Sequence, residues 1–109
     1  MAKVTLSELA KNDLLDARRY IENDLQNAAA AKRVLARIFK SLHTLEKFPY
    51  AGTPLQVGGV DTDYRVITSG NYRAFYICDE NEVHIVRVLY GWRDFMRILF
   101  GTTEDTGQE

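Results

Sequence analysis

The stretch YRVITSGNYRAFYICDENEVHIVRVLY, residues 64–90, decides the fold. Its apolar and polar residues alternate, and it is rich in Val, Ile, Tyr and Phe, the side chains that suit a pleated, half-buried surface. Gly70-Asn71 is a two-residue turn signal and Asp79–Glu82 a polar four-residue turn. Three antiparallel strands follow from this: Tyr64–Ser69, Tyr72–Cys78 and Val83–Tyr90. A tight turn at Gly70-Asn71 sets Arg65 opposite Tyr76, and a turn centred on Glu80-Asn81 makes Arg87 a diagonal neighbour of Tyr76. Alternation then assigns Val66, Phe75, Ile77, Val86 and Val88 to a core face. Arg65, Ile67, Tyr72, Tyr76, Ile85, Arg87 and Leu89 fall on the other, while Arg73 sits near the turn on the core side. A bulge in either hairpin would exchange these assignments.

Upstream the period changes to that of a helix. Thr5-Leu6-Ser7-Glu8 has capping-box spacing, with the Thr5 hydroxyl set to accept the Glu8 N–H. Leu6, Leu9/Ala10, Leu14, Ala17, Ile21 and Leu25 then recur at threes and fours. A second helix is predicted from about Ala28 to Lys47, its stripe formed by Ala31, Val34/Leu35, Ile38, Leu42 and Leu45. The short connection around Asn27 makes the pair an antiparallel hairpin. Pro49 and Pro54 bracket the end of the second helix, and a loop with Gly58 and Gly59 leads to the sheet. Beyond it, a short helix opens after Gly91 with Trp92, Phe95, Met96 and Leu99 on one face and Arg93 and Arg97 on the other. Gly101 is a suitable stop. Val4–Leu6 is a candidate edge strand.

The fold class read from this order is α+β: an N-terminal antiparallel helix hairpin packed on a three- to four-stranded antiparallel sheet, with a short C-terminal helix. Residues 1–100 form one domain and residues 101–109 a flexible acidic tail. Two helices cover only one face of the sheet, so the other is open or covered by a partner.

A chain of 109 residues suits one core. The sole cysteine, Cys78, excludes an internal disulfide and reads as an inert thiol in an apolar run. With no signal-peptide run and no membrane span, a cytoplasmic location is expected. His43 and His84 are isolated, and neither metal-ligand spacing nor a Gly-rich phosphate loop is present. No metal or cofactor is therefore expected, and any catalysis would rest on Arg and Tyr. The net charge is −1, which gives no nucleic-acid footprint. From residue 48 onward every basic residue is an arginine: Arg65, Arg73, Arg87, Arg93 and Arg97. A cluster of Arg65, Tyr76 and Arg87 would suit either phosphates with a stacked base or the carboxylates of an acidic partner.

Several stretches, in this order, carry a resemblance: Phe48-Pro49-Tyr50-Ala51-Gly52, Asp63-Tyr64-Arg65-Val66, Asn71-Tyr72-Arg73-Ala74-Phe75-Tyr76, and Val86-Arg87-Val88-Leu89-Tyr90-Gly91-Trp92-Arg93-Asp94. Over residues 1 to about 100 the chain resembles the RelE/ParE superfamily, the toxins of bacterial type II toxin–antitoxin modules. The resemblance implies a toxin held inactive in a hetero-oligomer with a cognate antitoxin protein, whose extended or helical tail wraps the toxin surface.

The superfamily has two branches. The RelE-like branch cleaves mRNA on the ribosome without a metal. Arg65, Arg73 and Arg93 match its basic positions, and Tyr76 or Tyr90 would assist proton transfer. Ile67 stands where a second basic residue of the first strand belongs, and Leu99 where a late tyrosine does. Loss of a proton-transfer group typically costs ~10²–10⁴-fold in rate. The ParE-like branch poisons DNA gyrase as a protein–protein inhibitor. Arg87-Val88-Leu89-Tyr90-Gly91 tracks its Arg-Val-Leu-His-Gly, with Tyr90 in the histidine's place, and Pro49 and Gly52 also fit. The favoured expectation is thus a ParE-like gyrase inhibitor, ahead of a ribosome-dependent endoribonuclease and an inactive antitoxin-binding module. Arg65, Tyr72, Arg73, Tyr76, Arg87, Tyr90, Arg93 and Arg97 are the expected contacts to target or antitoxin.

Overall fold

Ser7, rather than Thr5, opens the first helix. Its Oγ accepts the Ala10 N–H at 2.9 Å and donates to the Val86 carbonyl at 2.6 Å. The expected capping box fails because the backbone is still extended at Thr5 and Leu6, where it pairs with the sheet. The Thr5 hydroxyl instead meets His84 Nδ1 at 2.9 Å.

The computed structural model describes residues 1–101. It runs β1 (Lys3–Leu6), α1 (Glu8–Arg19), a π-turn (Tyr20–Asp24), α2 (Ala28–Lys47), β2 (Thr53–Val57), β3 (Val60–Ser69), β4 (Tyr72–Cys78), β5 (Glu82–Tyr90) and α3 (Phe95–Phe100). The tail expected from residue 102 onward lies outside the described residues. Gly101 does end α3, in the left-handed conformation at φ 71° that glycine adopts without a Cβ clash.

The sheet has five strands in the order β1-β5-β4-β3-β2, and it is mixed. This corrects the expected three- to four-stranded antiparallel sheet on two counts. The candidate edge strand exists, but it pairs parallel to β5, with Val4 beside Val83 and Leu6 beside Ile85. The stretch read as a loop is a hairpin, β2 with β3, closed by Gly58 and Gly59 at φ 60° and 80°. Pro54 hid β2 from a pattern search, and its position on the outermost strand is where a residue lacking an N–H is tolerated.

The register of β3 with β4 is as expected, Arg65 opposite Tyr76 and Ser69 opposite Tyr72 across Gly70-Asn71. β4 and β5 also start as expected, Cys78 with Val83 and Tyr76 with Ile85. The register then slips, because Val86 is an extra residue in β5 and Phe75 pairs with Arg87. Past the slip, Val88 and Tyr90 lie across from Ala74 and Tyr72, and Leu89 across from Arg73.

Up to the slip the helices cover the face opposite to the expected one, and the slip then brings Val88 to the helix side and Leu89 to the far side. Tyr76, Ile85, Val83, Ala74 and Val88 form the main core with Ala10 and Leu14 of α1 and Ile38, Leu42 and Leu45 of α2. Before the slip, the side predicted to lie open is therefore the side the helices cover. Phe75, Val66, Leu89 and Leu55 form a second, smaller cluster on the far face, packed by Tyr64 and by Phe95, Ile98 and Leu99. Ile98 takes the place expected for Met96. Asp94 is left-handed at φ 53°, which delays the start of α3 to Phe95 and leaves Trp92 in the preceding turn. α3 thus covers part of the far face from within the same chain, while Ile77 remains 40% exposed there.

The Phe48–Pro54 segment is fixed by one buried phenol. Tyr76 has no exposed surface; its hydroxyl donates to the Pro49 carbonyl and accepts the Gly52 N–H, each at 2.9 Å. A Cβ on Gly52 would sit 2.6 Å from the Val66 carbonyl oxygen and 2.7 Å from the Tyr76 hydroxyl, so only glycine fits. Tyr76→Phe leaves the Gly52 N–H unsatisfied and the Pro49 carbonyl with only the Cys78 thiol, and should cost about 1–3 kcal/mol. Urea unfolding should show a lower midpoint with an unchanged slope; an unchanged midpoint would refute the clamp.

Burial holds the Tyr76 phenol above its ordinary value, and the Gly52 N–H and Arg65 pull it only partly back. The unfolded chain releases this proton first, near pH ~10. Stability is complete below that pH and falls as pH rises towards the folded-state value. The alkaline loss of stability should be smaller in Tyr76→Phe than in the parent, and equal losses would contradict the assignment.

Candidate functional site

Asp13 decides where Arg87 goes. Its carboxylate accepts Arg87 Nε and Nη2, both at 2.8 Å, and the Val88 N–H at 2.9 Å. The two side chains keep only 20% and 12% of their surface exposed. Arg87 is held above its ordinary value chiefly by the hydrogen bonds to Asp13, against the opposing effect of burial. It braces α1 against the slipped part of β5 and presents no free guanidinium.

Arg65 is also turned inward. Its Nη2 donates to the Tyr50 carbonyl at 3.1 Å and the Gly52 carbonyl at 2.8 Å, and its guanidinium lies 5.2 Å from the Tyr50 ring centre. The predicted neighbourhood of Arg65, Tyr76 and Arg87 thus does not make an open cluster: a loop brace, a buried phenol and an ion pair have replaced it. The remaining arginines separate by face. Arg73 lies on the far face with its guanidinium 4.7 Å from the Trp92 ring centre. Arg97 pairs with Asp94 at 3.0 Å on exposed α3. Tyr72 packs on the helix-side core, with the Tyr90 ring edge-on to it at 5.4 Å. Arg93 is exposed in the turn before α3. The structure brings Tyr72 and Tyr90 together but puts Tyr90 and Arg73 on opposite faces of the sheet.

A second surface, which sequence reasoning missed, lies between α1, the π-turn and α2. It is a groove of about 740 Å³ whose apolar lining includes Leu6, Leu15, Leu35 and Phe39. Lys11, Arg18 and Lys32 also line it, against one acid, Glu22. Lys11 pairs with Glu8 and Arg18 with Glu22, so Lys32 is the groove cation without a carboxylate partner among the described residues. Leu15 and Phe39 are each 48% exposed, far more than a core leucine or phenylalanine. Each follows a core residue directly, Leu14 and Ile38, and so starts a second apolar line beside the inward stripe. That second line was the available signal, because a helix buried on one side alone does not need it.

Among the described residues no helix is long and apolar enough to cross a membrane, and no three His, Cys, Asp or Glu side chains are grouped to hold a metal ion. Cys78 Sγ lies 3.4 Å from the Pro49 carbonyl, and burial raises its thiol above the ordinary range. It is not an activated nucleophile.

The sequence matches the family described as the ParE toxin of the type II toxin–antitoxin system parDE, over residues 4–95. The chain belongs to that family. No curated protein matches it. Among solved structures it is similar to the chromosomal ParDE toxin–antitoxin system of P. aeruginosa, with a TM-score of 0.70 and 19% identity over 84% of this chain and 97% of that one. It is also similar to the RelBE2 toxin–antitoxin complex of Mycobacterium tuberculosis, with a TM-score of 0.59 and 22% identity over 82% and 96% of the two chains. A YoeB/ParE toxin from Agrobacterium tumefaciens shares the fold at a TM-score of 0.52 and 14% identity, over 81% and 96%.

The Asp13–Arg87 bond is testable by a double-mutant cycle. Asp13→Ala and Arg87→Ala each leave a partly buried charge without its partner and should cost on the order of 3 kcal/mol. The double variant should cost much less than the sum. Additive losses in urea unfolding would mean that the two residues act independently.

Proposed function

We propose that this chain is a toxin that inhibits DNA gyrase by protein–protein contact and is neutralised by a cognate antitoxin in a hetero-oligomer. One observation carries the choice of target over the ribonuclease alternative: the groups a ribonuclease would need do not converge. Tyr76 is buried in a structural clamp, Arg65 holds a loop, and Tyr90 lies across the sheet from Arg73. A general acid or base has to reach the proton it moves, within about 3 Å or through one water. Leu99, where the RelE-like pattern has a tyrosine, packs in the far-face cluster and offers no proton. Membership of the ParE toxin family points the same way.

The antitoxin's place is the α1–α2 groove. An apolar channel with Leu15 and Phe39 exposed and a surplus of cations suits an amphipathic segment whose polar side is acidic. The solved relatives include a ParDE system and a RelBE2 toxin–antitoxin complex, consistent with a protein partner of this kind.

Two measurements test the reading. Purified toxin at micromolar concentration should suppress supercoiling by gyrase, and unaffected supercoiling counts against the proposed target. Leu15→Glu combined with Phe39→Glu should weaken antitoxin affinity about 100-fold or more, the size of two lost anchors in a docking groove. Calorimetry with the antitoxin encoded beside this chain reads the effect, and unchanged affinity would move the antitoxin off the groove.

A further inference from the structure

A π-turn joins α1 to the connection before α2. At Tyr20–Asp24 the helix widens, Leu25 donating to the Tyr20 carbonyl five residues back at 3.1 Å and Asn27 to the Ile21 carbonyl at 3.0 Å. Single π-turns of this kind are rare in proteins and recur at functional sites. Of the first two residues, Ile21 packs inward, while Tyr20 is left 50% exposed. Tyr20 lies within electrostatic range of the Tyr72 hydroxyl, as do Tyr90 and Arg93; burial is the largest influence on that phenol.

Tyr72 and Tyr90 occupy a built corner. They are paired across β4 and β5, their rings edge-on at 80°. The Gly91 N–H closes the corner on the Asn71 carbonyl at 2.7 Å, with Gly91 and Gly70 both left-handed. Arg37 crosses from α2 to the same turn, its Nη1 3.2 Å from where a Gly70 Cβ would stand. Arg37 and Arg93 have no carboxylate partner among the described residues. The corner therefore shows exposed tyrosine edges and two available guanidiniums on backbone that cannot shift freely.

We infer that the ledge formed by Tyr20, Tyr72, Tyr90, Arg37 and Arg93 is the surface through which the toxin grips its protein target, separate from the α1–α2 groove. The inference rests on the toxin reading above and adds the contact surface that this reading lacks. Tyrosine and arginine dominate the few residues that carry binding energy in protein interfaces, and rigid rings lose little entropy on docking. The complementary site is an apolar cleft on a folded protein, edged by carboxylates to meet Arg37 and Arg93. A nucleic acid fits less well. Two guanidiniums on a chain of net charge −1 supply few of the cations that phosphate-backbone binding depends on.

The test is the double variant Tyr90→Ala with Arg93→Ala, beside Tyr20→Ala alone, since Tyr20 is exposed and its loss leaves the core unchanged. Growth arrest on induction without antitoxin is the first readout and inhibition of gyrase holoenzyme the second; thermal unfolding checks the fold. The double variant should abolish arrest and raise the concentration for half-inhibition at least about tenfold, with Tyr20→Ala intermediate. The unfolding midpoint should be unmoved in Tyr20→Ala and only slightly lowered in the double variant, which loses the Tyr72–Tyr90 ring pair. Arrest as strong in both variants as in the parent would overturn the ledge. Arrest lost in the variants while the parent leaves gyrase untouched would keep the ledge and discard gyrase as target. Binding of single-stranded RNA by the parent, measured by anisotropy and lost in Tyr90→Ala, would reassign the ledge to nucleic acid and overturn the proposal.

Discussion

The carboxylate of Asp13 accepts three hydrogen bonds, two from Arg87 and one from the Val88 backbone, and the layout of the molecule depends on that junction. β5 carries one residue more than β4 can match. On its other edge β5 loses its neighbour after Ile85, where β1 ends at Leu6, and an unpaired buried N–H is costly. Asp13 supplies the missing acceptor and at the same time takes up the side chain of Arg87. Helix α1 is thereby attached to the sheet at the place where the sheet is irregular. Beyond the slip, Tyr90 falls on the side of Tyr72 and Leu89 on the side of Arg73, which settles which groups share a surface.

The polar residues that look most like chemistry serve the fold. Tyr76 and Arg65 bind three carbonyls and one N–H of the segment between α2 and β2, and Gly52 is the point where that segment touches β3 and β4 too closely for any side chain. The helices, the sheet and this segment are locked together from inside. What remains outside, and is proposed as surface for recognition, is an apolar channel between the helices and the Tyr72–Tyr90 corner at the sheet's end. A toxin of the ParE family that acts by contact needs such surfaces and needs no convergent acid and base.

The sequence showed the strands β3, β4 and β5, both long helices and the pairing of Arg65 with Tyr76, because alternation, helical period and the Gly70-Asn71 turn are local signals. It also carried the family, through the order of short motifs around Arg65, Arg73 and Arg87. The side of the sheet chosen by the helices was not legible, since alternation sorts residues into two sets without naming the covered one. The slip at Val86 was not legible either: an extra valine in a run of β-formers looks like more strand. Parallel pairing of β1 joins residues about eighty positions apart, with no turn between them to announce it. The groove and the ledge need two elements each, so Leu15, Phe39 and Tyr20 looked ordinary until α1, α2 and the sheet were placed together.

The central claim is that this fold disables by gripping a protein and holds no nuclease site. Mapping transcript ends in cells after induction without antitoxin, while following plasmid topology in the same cultures, tests it most directly. The account expects altered plasmid supercoiling and no new codon-linked 5′ ends. Codon-linked cuts in mRNA with plasmid topology unchanged would contradict it.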